Sequence, residues 1–233
     1  MLNKKLIAGI FSLSICACLP PARADFVALA NPDAAYIAAT NLMPIMGAEF
    51  DTVDSVTDGF NTAFFRSPAP FGIPLSLPIF DVGSVWFSWS APPFAETDTP
   101  RVLDVTAPGI RISLDQPALV FGFEAEPQVF GLQTITARFF DPGGLAGTIT
   151  QDVEGDAGAR LFAAFDSRGF TDVLISGADD FGIAQLRYGN TAPVPEPSSV
   201  MLMAVALGFL LWRWRPRFRR STTSLCGFSA SKD

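Results

Sequence analysis

Leu119-Val120-Phe121-Gly122-Phe123-Glu124-Ala125 decides the fold class, because its large apolar residues recur at every second position. Leu119, Phe121, Phe123 and Ala125 then share one face of an extended strand, and Ile135, Ala137 and Phe139 share one face of the next. Leu161, Ala163 and Phe165 repeat the alternation, as do Val173 with Ile175 and Leu186 with Tyr188. These are the predicted core faces. Turns such as Asp141-Pro142-Gly143-Gly144 separate strands spaced by about 10 to 15 residues, which predicts an all-β fold, a single antiparallel β-sandwich. Phenylalanine, 22 residues in the chain, is the filler for two sheets packed about 10 Å apart.

Upstream the pattern is shorter and more broken. Candidate strands run over 48–53, 61–66, 79–82, 85–89 and 101–106, with residues 67–78 read as a polyproline-like loop around Ser67-Pro68-Ala69-Pro70. Residues 25–46 form a less regular lead-in, in which Asn31-Pro32-Asp33 is a turn or N-cap before a short helix over 34–40. Trp86 and Trp89 sit three apart, so on a strand they face opposite sides, one core and one available to stack on a sugar ring.

Composition excludes several functions. Residues 25–192 hold 21 Asp and Glu against 7 Arg and no Lys, a balance of −14 inside a whole-chain charge of −7. Such a surface has no basic face for phosphates, which argues against nucleic acid and for cations or neutral saccharides. The chain has no histidine, which removes Ser-His-Asp and Cys-His catalysis and histidine metal sites. Cys16, Cys18 and Cys226 all lie outside residues 25–192, so that region has no internal disulfide and depends on its core.

The two ends read as targeting segments. Lys4 and Lys5 precede an apolar run from Leu6 to Leu19, and Ala22-Arg23-Ala24 offers small residues for cleavage, which predicts a signal peptide over 1–24. Ile15-Cys16-Ala17-Cys18 is the competing reading, lipidation at Cys18. At the other end Pro195-Glu196-Pro197 is extended, Ser198 and Ser199 cap a helix, and Val200 to Trp212, including Leu207, carries no charge. That run is about 20 Å long, short against a hydrocarbon core of roughly 30 Å. Trp212, Trp214 and the arginines at 213, 215, 217, 219 and 220 lengthen it at the interface and place the C-terminus inside. A membrane helix over about 198–214 and a polar cytoplasmic extension over 221–233 follow.

This three-part tail resembles the PEP-CTERM sorting signal of exported envelope proteins, also catalogued as an "ice-binding protein C-terminal" domain. The resemblance covers residues 193–220. It implies a membrane partner and recognition by an exosortase, a processing protease that cuts near Pro195-Glu196-Pro197 and passes the ectodomain to the cell surface or its polysaccharide matrix. The extension 221–233 departs from family members, which stop soon after the arginines. The strand order of the ectodomain is similar to a group of PEP-CTERM ectodomains, through Leu119-Val120-Phe121-Gly122-Phe123, Phe139-Phe140 and Phe181-Gly182-Ile183-Ala184-Gln185-Leu186-Arg187-Tyr188-Gly189. That similarity implies a jelly-roll of lectin-like or galactose-binding-like shape. Ala184 and Gln185 stand where such strands usually carry acidic residues, so no role of an acidic pair carries over.

Four patterns could carry chemistry. Asp152, Glu154 and Asp156 have the odd spacing of a calcium loop, but glycine is misplaced and Ala163 stands where the bidentate glutamate belongs, so a wet strand face explains them better. Asp179-Asp180, in a loop between strands, is the better calcium or turn position; the turn reading is preferred and no cofactor is expected, with Ca²⁺ at this pair as the alternative. No pair of carboxylates is marked as a glycosidase pair, so no catalytic residue is assigned. Thr134-Ile135-Thr136 and Thr148-Ile149-Thr150 are two isolated triplets, read as ordinary strand residues rather than an ice-ordering array. The functional expectation is an exported structural or adhesive protein of the cell surface, with a carbohydrate-binding module as the alternative and a secreted glycan-active enzyme after it.

Overall fold

The computed structural model describes residues 26–68, 72–106, 109–177 and 179–191. Residues 1–194 and 195–233 form separate units, and all described residues belong to the first. The expected leader over 1–24 with Cys18, the sorting motif at Pro195 to Pro197, the expected membrane helix over 198–214 and the extension 221–233 therefore lie outside the described residues. Among the described residues no helix is long and apolar enough to cross a membrane.

The elements in chain order are β1 (Val27–Leu29), α1 (Ala34–Ala39), β2 (Asn41–Leu42), β3 (Thr52–Val53), β4 (Ser55–Thr57), β5 (Thr62–Arg66), β6 (Leu77–Asp81), β7 (Arg101–Val105), β8 (Ile110–Pro127), β9 (Leu132–Asp141), β10 (Gly144–Glu154), β11 (Arg160–Ser176) and β12 (Phe181–Gly189). All the strand pairings are antiparallel. The antiparallel all-β sandwich expected from alternation is the observed fold.

Two long strands, β8 and β11, run side by side and belong to both layers. Ile110–Ser113 of β8 pairs with Asp172–Ile175 of β11, and Val120–Ala125 pairs with Arg160–Phe165, with the ladder shifting between Phe165, Phe170 and Asp172. On one side of that irregularity the first sheet runs β4-β5-β8-β11-β9-β10. On the other side the second sheet runs β1-β11-β8-β12-β7-β6-β3, with β2 beside β12. Bulges of this kind bend strands and let one pair serve two packed layers. Phe121, Phe123 and Ala125 from the second sheet and Ile135, Ala137 and Phe139 from the first meet in one buried core, where Phe123 stacks on Phe162 at 5.6 Å.

The second sheet is buried on its other face too, which corrects the reading of Leu161 and Ala163, and local irregularities correct those of Leu119 and of 85–89. Leu161 and Ala163 point away from the main core, into a small cluster with Tyr36 and Val120 against which Phe165 packs, while Phe162 and Ala164 face inward. With both faces apolar, alternation cannot tell inside from outside. Leu119 is only half-buried because the ladder shifts beside it. The stretch 85–89 is not a strand but part of a loop entered by a turn at Gly83 (φ 88°). Trp86 and Trp89 are therefore both 4% exposed and edge-on to one another at 6.4 Å, rather than one in and one out.

Other expectations stand with shifted ends. Asp33 caps α1, its side chain accepting from Tyr36 N–H at 2.8 Å. Of 48–53 only Thr52–Val53 pairs, because Ala48 to Asp51 makes a turn with Phe50 at φ 72°. β6 begins at Leu77, inside the stretch read as a loop.

Candidate functional site

Glu124 and Glu126 follow one another at two-residue spacing on β8, so both leave the strand on the outer face of the second sheet. The loop 82–100 folds over that face. Its Trp86, Trp89 and Ala95 pack with Val102, Ala159 and Ala184 into a cluster of their own. Two glycines make the docking possible. A Cβ on Gly182 would lie 2.4 Å from Val102 Cγ1 and 2.9 Å from Trp86 Cζ2, and one on Gly122 would lie 2.6 Å from Tyr36 Oη. The Phe-Gly steps in β8 and β12 are thus seats for aromatic side chains arriving from outside the sheet.

Glu124 is fully buried. Its Oε2 accepts from Trp89 Nε1–H at 2.9 Å and its Oε1 from the Glu96 N–H at 2.6 Å. Burial pushes its pKa up to about 7 against the pull of those two donors. Beside it Arg187 Nε donates to Glu96 Oε1 at 2.6 Å, with the two side chains only 12% and 8% exposed. Tyr36 closes the group, its hydroxyl pushed well above the ordinary tyrosine range by burial and then by the Glu96 charge. This half of the outer face is closed to solvent and serves the fold.

Glu126 is also buried, at 1% exposure, but it lies beside a cleft at the surface. The Ala157 N–H donates to Ser88 Oγ at 2.8 Å, and the Ser88 hydroxyl donates to Glu126 Oε1 at 3.0 Å. Glu126 Oε2 has no hydrogen-bond partner among the described residues. Burial raises its pKa to about 7, while Ser88 and the nearby Ala159 and Ala157 N–H dipoles pull it down. The residue lines a cleft of about 40 Å³ together with Val85, Trp86, Phe87, Ser88, Gln128 and Phe130. Phe87 and Phe130 stand at 79% and 68% exposure, two aromatic faces beside a buried carboxylate. At about 40 Å³ the cleft has room for about one water, well short of the roughly 300 Å³ at which small-ligand pockets begin, so what this surface offers a ligand is chiefly the two exposed rings.

The structure sorts the residues marked by the sequence. Asp152 accepts from the Thr134 hydroxyl and Glu154 from the Gly131 N–H, so both hold turns and strand pairs. Asp179 is exposed and Asp180 half-buried. Asp104 lies near Asp180, and burial and then the Asp180 charge raise its pKa. Among the described residues no three His, Cys, Asp or Glu side chains group as metal ligands. The threonine triplets are not isolated. Thr136 and Thr150 face each other across β9 and β10 with hydroxyls 3.1 Å apart. Sequence reasoning missed Glu124, Glu126, Phe87 and Phe130, although two glutamates inside an otherwise apolar strand were a visible signal.

Comparison with known proteins adds the tail. Residues 193–217 match the family model described as the PEP-CTERM protein-sorting motif. No curated protein sequence matches the chain. Among solved structures, a family 6 carbohydrate-binding module aligns at 13% identity and TM-score 0.28, over 49% of this chain and 95% of that one. The enzymatically active domain of bacteriophage CBA120 tailspike protein 4 aligns at 15% identity and TM-score 0.27, over 56% of this chain and 19% of that one. A family two carbohydrate esterase from Cellvibrio japonicus aligns at 11% identity and TM-score 0.26, over 74% of this chain and 36% of that one. This chain thus spans about a fifth of the tailspike domain and about a third of the esterase. Fold and motif together define the class: an exported β-sandwich protein bearing a PEP-CTERM sorting motif. The motif marks membrane anchoring before processing and recognition by an exosortase.

Proposed function

We propose that the protein is a non-enzymatic, surface-displayed binding module that holds a neutral saccharide of the cell-surface or exopolysaccharide matrix in the cleft beside Glu126. The observation that carries this reading is the pairing of an unpartnered buried carboxylate oxygen with the exposed rings of Phe87 and Phe130. A sugar offers hydroxyls to the carboxylate and an apolar C–H face to a ring. In this account Val200 to Trp212, with Leu207, is the membrane anchor before processing, Arg213 and Arg215 hold its inner end, and cleavage falls near Pro195, Glu196 and Pro197. A calcium ion at Asp179 and Asp180 is a subsidiary proposal, supported by the nearby carboxyl of Asp104. A rise in melting temperature with added Ca²⁺ that is lost in D179N supports it, and an unchanged melting temperature rejects it.

The test of the main reading is an array of neutral oligosaccharides probed with the full-length protein in detergent. Binding that weakens at least tenfold in both Phe130→Ala and Glu126→Gln is the expected result. Absence of binding by the unaltered protein, or equal binding by the variants, overturns it. Release of reducing sugar that vanishes in Glu126→Gln would instead make the protein an enzyme.

A further inference from the structure

The outer face of the first sheet is open, and the strand register places charge on it in an ordered way. Arg66 on β5 faces Arg111 on β8, Arg111 faces Leu174 on β11, Leu174 faces Arg138 on β9, and Arg138 faces Thr148 on β10. The neighbours that alternate with them, Phe65, Ile112, Val173, Ala137 and Ile149, all enter the core, so the three arginines stand together on the opposite side. At about 4.8 Å per strand the row spans roughly 14 Å. These are three of the seven arginines in a region whose balance is −14.

Two of the three guanidiniums are held in place. Arg111 Nε donates to Asp172 at 3.0 Å and the group lies over the Phe140 ring at 5.7 Å. Arg66 donates to the Gly72 carbonyl at 3.2 Å and lies over the Phe64 ring at 5.8 Å. Each guanidinium carries five N–H donors, so most remain available to an acceptor outside. Arg138 is exposed and has no partner among the described residues. Asp172 is the single carboxylate in the row alongside, Phe64-Ser113-Asp172-Phe140, and it is already shared by Arg111 and Ser113. The row above carries hydroxyls, with Thr136 flanked by Thr150 and Ser176.

We propose that this face binds an anionic polysaccharide laid across the strands along Arg66, Arg111 and Arg138. A flat surface of guanidiniums, hydroxyls and half-exposed rings has no apolar centre of the kind a protein interface buries. Nucleic acid carries a charge about every 1.7 Å of duplex axis and meets the full repulsion of the acidic ectodomain. A glycan with a sparser carboxylate spacing meets three cations against the one carboxylate of Asp172, which is already paired with Arg111, within a Debye length of about 8 Å. Bidentate guanidinium–carboxylate pairs then fix it in place. The site is separate from the Glu126 cleft and does not depend on it.

The experiment is biolayer interferometry of the full-length protein in detergent against immobilised alginate, with dextran and single-stranded DNA as comparison surfaces. Alginate binding is expected to weaken at least tenfold in R66Q/R111Q/R138Q and severalfold in R138Q alone, the variant that disturbs no contact of the fold. It should strengthen in D172N, fall as NaCl rises from 50 to 500 mM, and be unaffected by Phe130→Ala. No alginate binding, retention by R138Q and the triple variant of unaltered affinity, or equal binding to single-stranded DNA would overturn the proposal.

Discussion

Trp89 on the covering loop donates its indole N–H to Glu124 on β8 at 2.9 Å, with both residues buried. This contact ties the irregular stretch 82–100 to the buried end of β8, so loop and sheet form one cooperative unit. Trp89→Phe removes the donor and also shrinks a buried ring, so it should cost more than about 2 kcal/mol, the usual worth of a hydrogen bond to a charged group, and the pH dependence of the loss separates the two contributions. The loss should be larger at pH 8, where Glu124 is ionised, than at pH 5, as read by denaturant titration at both values.

The glutamates make stability depend on pH. Both carboxyls have folded-state pKa values of about 7, against about 4.3 for an unfolded glutamate. Between those values the folded state holds more protons, so stability is full below about pH 4.3 and declines as pH rises through 7. Each group contributes on the order of 3 kcal/mol to that decline. Calorimetry should find a higher melting temperature at pH 5 than at pH 8. Glu126→Gln, which keeps an acceptor for Ser88 and removes the charge, should flatten the slope. A melting temperature that climbs from pH 5 to pH 8 would contradict this.

The glycine seats predict a steric effect. Gly182→Ala places a methyl 2.4 Å from Val102 Cγ1 and 2.9 Å from Trp86 Cζ2. Overpacking of this kind costs about 1–3 kcal/mol. It should also loosen Trp86, visible as a red shift of tryptophan emission relative to the unaltered protein.

Alternation made the sandwich legible because the inner faces of β8, β9 and β12 are packed by Phe121, Phe123, Phe139 and Leu186 while many of their neighbours are polar or small. It failed at Leu161 and Ala163, where the outer face is also buried and the period carries no sign. It failed again at Trp86 and Trp89, because their shared burial comes from a loop closing on a sheet distant in sequence. The candidate cleft joins positions 85–88, 126–130 and 155, a juxtaposition fixed by strand register and invisible to local pattern. The arginine row has the same origin. The tail was readable because its recognition depends on composition in a continuous segment, Pro195 to Arg220.

Delivery and binding can be tested together on intact cells carrying the unaltered chain, Phe130→Ala, or a chain lacking residues 193–233, each scored for surface antibody label and for retention of a fluorescent neutral glycan found on the array. The unaltered protein should be labelled and retain the glycan, Phe130→Ala should be labelled without retaining it, and the tail-less chain should do neither. Equal retention by Phe130→Ala, or undiminished surface label without the tail, would contradict the account.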